Sequence, residues 1–320
     1  MFNKTRKRIY STLMIIASVL IILIIAPSIS AFSAMFYNTY KSMAVNKLDR
    51  SFSASRMFID SVMSTTDNLA LNPVIAETVS GTRTGSLTSV LDDACAYSLE
   101  INAVTVYSAD GKIYTSSGVL NPPTVDELRR LQDIDEFFSD GEASEYVSLR
   151  TSGIIKAYGG TPYDEQTGII SCCRKIYGQN GAVTGYIFTD VFPKTLFAYY
   201  GFSGDPRLKN SIAMVTFDGG YFISESTEHD EDYLTAATQT IVKNRLIISS
   251  IRNFYGGTVR VAVPVAPLYE NIALISCIIA LCGIALLIGT HFVAKANADR
   301  VCARLNGLLL KMTASAQRFS

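Results

Sequence analysis

The chain has no tryptophan and only two histidines, His229 and His291, among its 320 residues. So few imidazoles leave little from which to build a zinc enzyme, whose catalytic sites are held largely by histidine. Six cysteines are too sparse for a disulfide scaffold at this length. Net charge is also lacking, since 28 basic and 28 acidic residues cancel, which argues against a strongly basic nucleic-acid binder. No P-loop, nucleophile elbow or metalloprotease box occurs, so no catalytic residue is assigned and no cofactor or bound metal is expected. Apolar residues are abundant: 48% of the chain is hydrophobic, far from the composition of a disordered polymer.

The charges cancel by segregation. Lys4, Arg6, Lys7 and Arg8 precede a stretch without formal charge from Ile9 to Tyr40, whose apolar centre runs from Leu13 to Ala26. Asn271 to Ala294 is likewise uncharged and stops at Lys295. Each run reaches the ~20 residues that a membrane helix needs, and a lone apolar segment can satisfy its backbone in lipid only as a helix. The C-terminal flank carries Lys295, Arg300, Arg304, Lys311 and Arg318 against Asp299 alone. The two flanks together hold nine basic residues and one acidic, leaving 19 and 27 between them. Basic residues stay on the cytoplasmic side, so the sequence predicts a multi-pass plasma-membrane protein with both ends inside and residues 37–270 outside. Cleavage of a signal peptide at Ser28-Ile29-Ser30, before Ala31, is the alternative reading of the first run.

Beyond the first run, Phe36, Tyr40, Met43, Leu48, Phe52, Phe58, Val62 and Leu69 recur at helical steps up to Asn72-Pro73. Helical pieces follow at residues 74–80 and 86–99. Residues 103–107 and 113–115 flank Asp110-Gly111, a strong hairpin signal. Thr124 and Glu127 have capping-box spacing and open a helix expected to reach Phe138. Strands are expected at 146–150, 153–158, 168–177 and 182–192, then a short helix from Pro193. A shorter repeat follows: strands at 211–217 and 221–224, a polar helix at 231–243, and strands at 246–251 and 258–265. The divisions are a basic N-terminus (1–9), a first membrane helix (10–33), a juxtamembrane helix (34–72), two modules (73–200 and 201–270), a second membrane helix (271–294) and a cytoplasmic tail (295–320).

The juxtamembrane helix, the hairpins YSADGKIY (107–114) and TFDGGYFI (216–223), the strand GYIFTD (185–190) and the Val263-Pro264 strand end resemble, in this order, an extracytoplasmic double Cache sensor of a bacterial transmembrane receptor. The resemblance implies an α+β fold: a two-span membrane protein whose PAS-like tandem sensor stands on a long N-terminal helix, with a ligand pocket on one sheet face. The layout is similar to that of sensor histidine kinases of Gram-positive bacteria, and to membrane-bound regulators with an AraC-type DNA-binding end. Val301, Leu305, Leu308 and Met312 form a bundle seam resembling the first helix of a HAMP linker, although Val301 stands where proline is usual. A helix lying on the inner leaflet is the alternative. No phosphoacceptor helix, nucleotide loop or helix-turn-helix occurs before Ser320. The expectation is therefore the sensor portion of a longer histidine kinase, with the AraC-type regulator or a stand-alone surface scaffold as alternatives.

The expected partners are an extracellular small molecule (a carboxylate, amine or sugar), a second copy through the membrane and cytoplasmic helices, a cytoplasmic effector or response regulator, and the bilayer, with no nucleic acid for these residues. By the resemblance, Asp190 occupies the place of a pocket carboxylate that takes a ligand amine; a strand-end cap is the other reading. Related amino-acid pockets also use an Arg followed by Trp and Tyr, and this chain has no Trp. Arg150, Lys156, Tyr158, Tyr163, Arg174 and Tyr186 lie on or between the expected pocket strands. Rings stack and guanidinium donates bidentate pairs, which suits carboxylates or sugars; an ordinary solvated sheet face is the bland alternative. Cys172 and Cys173 must point to opposite faces of a strand, and either is a possible disulfide partner for Cys95. The acidic run Glu228-His229-Asp230-Glu231-Asp232 lacks the glycine spacing of a calcium loop and reads as a solvated loop.

Overall fold

The computed structural model describes residues 2–98, 100–130, 132–139, 145–150, 168–200, 205–217, 220–250 and 252–316. Two units form. A helical unit comprises residues 1–42 and 266–320, and a mixed unit residues 43–265.

The first helix, α1, runs from Phe2 to Ala70, and Pro27 does not end it. The last helix of the chain, Ala266–Ala316, is also unbroken. Within the helical unit the two meet at several points. Arg6 Nε reaches Asp299 Oδ1 at 2.6 Å, Tyr10 Oη lies 2.7 Å from His291 Nδ1, and a Cβ added to Gly283 would strike Ile25 Cδ1. Both helices are long and apolar enough to cross a membrane. Their apolar side chains remain uncovered, as at Leu23, Ile24 and Leu281, each more than three-fifths exposed. A soluble protein would bury such a stripe.

In the mixed unit the stripe on α1 is buried at Leu48, Phe52, Phe58, Val62 and Leu69. Asn72 then caps α2 (Pro73–Val79) by accepting from Val74 N at 2.9 Å. α3 (Thr88–Tyr97) follows. The first sheet contains β1 (Ala103–Ser108), β2 (Ile113–Thr115), β3 (Glu145–Arg150), β4 (Ile169–Tyr177) and β5 (Val183–Val191), antiparallel in the order β2-β1-β5-β4-β3. Gly111 and Gly181 take positive φ in the two tight turns. Gly185 on β5 serves close approach instead: a Cβ there would meet Tyr107 O at 2.4 Å and Val79 Cγ1 at 2.5 Å.

Thr124 and Glu127 do form a capping box, but the expected single helix is two: α4 (Val125–Arg129) and α5 (Gln132–Ser139). The break lets Leu128, Ile134 and Phe137 reach one core with Tyr107 and Phe188. After α6 (Pro193–Ala198) and a 3-10 turn at Pro206–Leu208, the second sheet forms from β6 (Ile212–Phe217), β7 (Gly220–Ile223), β8 (Ile241–Val242), β9 (Arg245–Ser249) and β10 (Thr258–Pro264), in the order β7-β6-β10-β9-β8. The polar helix expected to reach residue 243 is only α7 (Asp230–Thr235). Ile241 and Val242 leave it to pair with Leu246 and Arg245. Lys243 and Asn244, with φ of +47° and +59°, form the two-residue turn between them. The terminal helix is numbered α8.

Candidate functional site

Successive residues of a strand face opposite sides of a sheet, and β4 and β5 use this to separate two tasks. On one side, Thr66 of α1 donates its hydroxyl to Thr189 Oγ1 at 2.8 Å. Arg174 donates from Nε to Asp67 Oδ1 and from Nη2 to Asp67 Oδ2, the latter at 2.7 Å. Ser108, at the end of β1, donates to Val79 O of α2 at 2.8 Å. This side therefore carries the α1–α2 layer.

The other side carries Ser171, Cys173 and Lys175 from β4 and Tyr186, Phe188 and Asp190 from β5. α5 covers one end of it. Phe137 stacks edge-on against Phe188 at 6.1 Å and Tyr186 at 5.9 Å, and Tyr107 meets Phe188 at 5.3 Å. Lys175, 5% exposed, holds its ammonium 5.4 Å from the Phe137 ring centroid, where ring quadrupole and charge attract.

Asp190 lies at the other end and is 2% exposed. Ser171, directly opposite on β4, donates to its Oδ1 at 2.6 Å. Two apolar clusters flank Asp190: Tyr107, Cys173 and Phe188 on one side, and Ala103, Val119, Ile169 and Phe192 on the other. Asn102, just before β1, donates its backbone N–H to Asp190 O at 2.9 Å. The Asn102 side-chain nitrogen is buried with no hydrogen-bond partner among the described residues. Burying a carboxylate costs several kcal/mol unless hydrogen bonds or opposite charge offset it, and Ser171 supplies one such hydrogen bond.

The predicted residues are thus divided. Asp190 and Tyr186 share a face, with Tyr186 taken into the aromatic cluster. Arg174 lies on the opposite face and holds α1, because it is one residue out of phase with Ser171 and Cys173. Arg150 ends β3 opposite Ile169, and its side chain, together with Lys156, Tyr158, Tyr163 and the strand expected at 153–158, lies outside the described residues. Ser171, Lys175 and Asn102 were missed; the strand alternation around Cys172-Cys173 could have placed the first two beside Asp190's face. The possible disulfide from Cys95 to Cys172 or Cys173 is not formed: all three are free thiols. Cys172 is fully buried in the α1-side layer, where burial pushes its thiol far up. Burial also raises the Cys95 thiol, against a hydrogen bond with Ser116 that lowers it. In the acidic loop Asp230 accepts from Ser226 Oγ at 2.9 Å and from Thr227 N at 2.8 Å, bracing the start of α7.

The second sheet carries its own hold on α1. Tyr255, at φ +49° in the β9–β10 turn, donates to Asp60 Oδ1, and Phe254 packs edge-on against Phe52 at 5.7 Å. A bulky residue with positive φ is strained, and the Asp60 contact offsets that strain. Burial, reinforced by the Asp60 carboxylate, pushes the Tyr255 hydroxyl far up.

No protein-family model and no curated protein matches the sequence. Solved structures do match in fold. The extracellular domain of vpHK1S-Z8, assigned as a histidine kinase, aligns with a TM-score of 0.54 at 10% identity, over 74% of this chain and 96% of its own length. A domain of a protein assigned to the sensory box/GGDEF family from Vibrio parahaemolyticus gives 0.52 at 11% identity, over 71% and 96%. The ligand-binding domain of the Pseudomonas fluorescens chemoreceptor CtaA, solved with L-isoleucine, gives 0.51 at 15% identity, over 75% and 97%. The fold of this chain is that of receptor sensory domains.

Proposed function

We propose that the chain is an extracytoplasmic receptor for a small amine-bearing solute, anchored by α1 and α8 as two membrane spans with both ends cytoplasmic. The observation that carries this reading is the buried Asp190 carboxylate on the sheet face away from α1. A carboxylate accommodates several donors, and a ligand ammonium is proposed to be one of those at Asp190. The apolar neighbours Ala103, Ile169 and Phe192 suit an aliphatic portion, and the Asn102 amide offers a donor at the same strand end for a ligand oxygen. These features fit a small zwitterion such as an aliphatic amino acid, the chemistry named for CtaA. Arg150, Lys156 and Tyr158 are proposed to supply further contacts, while Arg174 is not.

The same strands provide the output. Ser171 and Asp190 are one or a few positions from Thr189 and Arg174, which grip α1. A ligand that binds one arrangement of β4 and β5 more tightly biases the position of α1, and α1 is continuous with the first span. In this proposal two copies pair through their helices, and the C-terminal part of α8 carrying Val301, Leu305, Leu308 and Met312 passes the bias to a histidine-kinase effector in the manner of the first helix of a HAMP linker. Thermal unfolding of the purified chain in detergent, titrated with a panel of amino acids, tests the ligand reading. At least one aliphatic amino acid should raise Tm in the wild type and not in Asp190→Asn. A shift retained in Asp190→Asn would refute the site.

A further inference from the structure

An open cavity lies within the helical unit, remote in sequence from every residue assigned above. It has a volume of about 580 Å3 and is lined by Lys4, Arg6, Lys7 and Tyr10 from α1 and His291, Lys295 and Ala298 from α8, a volume typical of small-ligand sites. Arg6 is committed to Asp299. Lys4, Lys7 and Lys295 make no ion pair among the described residues. The Tyr10–His291 hydrogen bond of 2.7 Å joins the two helices at the cavity wall. Three ammonium groups form a donor set for a phosphate anion, with the Tyr10–His291 pair beside them.

Its position distinguishes between sources of phosphate. The cavity occurs where the basic flanks meet the apolar runs that begin at Leu13 and end at Ala294. Phe292 and Val293 next to it are 66% and 61% exposed. An inorganic phosphate leaves that apolar surface uncovered, whereas a lipid brings acyl chains to it. Basic pockets between spans at the cytoplasmic border have the chemistry for anionic head groups. We propose that this cavity binds the phosphate head group of an anionic phospholipid and so ties the two helices together at the inner leaflet. The proposal rests on reading α1 and α8 as membrane spans.

The test uses the full chain in nanodiscs of phosphatidylcholine containing a minority of phosphatidylglycerol, after a carbonate wash of the source membranes. Release by the wash would overturn the span reading, independently of the site. With insertion secured, native mass spectrometry should find phosphatidylglycerol retained in preference to phosphatidylcholine. Lys4→Gln/Lys7→Gln/Lys295→Gln should reduce that preference about a hundredfold. Arg300→Gln/Arg304→Gln/Lys311→Gln, with the same charge change outside the cavity, should keep it. Equal loss in both triple variants, no preference in the wild type, or displacement of the lipid by inorganic phosphate would each overturn the proposal.

Discussion

Asp190 and Arg174 sit on neighbouring strands of one sheet and serve opposite faces. The consequence is a separation of phenotypes. Arg174→Met should leave amino-acid binding by the purified chain intact, because it removes no group from the Asp190 face. It should instead abolish the ligand-dependent change in disulfide cross-linking between two copies carrying Ile24→Cys, since Asp67 then loses its bidentate partner. Loss of binding in Arg174→Met would place the arginine at the ligand after all. Tyr200 offers a second test at this scale. Its hydroxyl meets Ser55 Oγ at 2.6 Å in a fully buried pair, and burial pushes it up to about 12. Because the folded value is raised above the usual 10, its contribution is complete below pH 10 and is lost as pH rises toward 12. Tyr200→Phe should cost about 1 kcal/mol at neutral pH and flatten the fall in stability over that alkaline interval, read from urea melts at stepped pH.

At the scale of elements, α2 is set on the first sheet by a missing side chain. Val79 and Tyr107 O crowd the position of a Cβ at Gly185, so Gly185→Val must push α2 or β1 away. It should cost about 2 to 3 kcal/mol and lower Tm without altering residues of the Asp190 face. An unchanged Tm would mean that α2 does not pack on β5 as described. Most strands were legible from alternation and turn residues, because Asp110-Gly111 and Asn180-Gly181 encode their turns locally. Where the reading failed, tertiary contacts decided. The polar run after Thr235 has a composition compatible with helix, yet Ile241-Val242 complete a sheet edge and stop it.

For the whole molecule, the segregation of charge makes a sharp prediction about sidedness. Impermeant maleimide applied to intact cells should label a cysteine introduced at the exposed residue Tyr97 and spare one introduced at Arg304, in a background lacking the native cysteines. The reverse pattern would overturn the proposed topology. The matched sensory domains align over about three-quarters of this chain, and both modules hold α1, the first through Asp67 and Thr66, the second through Asp60 and Phe52.

The sequence alone determined the two apolar runs, the basic borders, the capping box and nearly every hairpin, since each depends on the chemistry of residues adjacent along the chain. Its resemblance to Cache sensors also made Asp190 a candidate. Which face that carboxylate occupies was decided only in the folded sheet. The strand period of two places Arg174 and Cys172 behind it and Ser171 and Lys175 beside it. Tertiary structure alone also gathered Lys4, Lys7 and Lys295 around one cavity, because residues 288 and 291 positions apart become neighbours only when two helices pack.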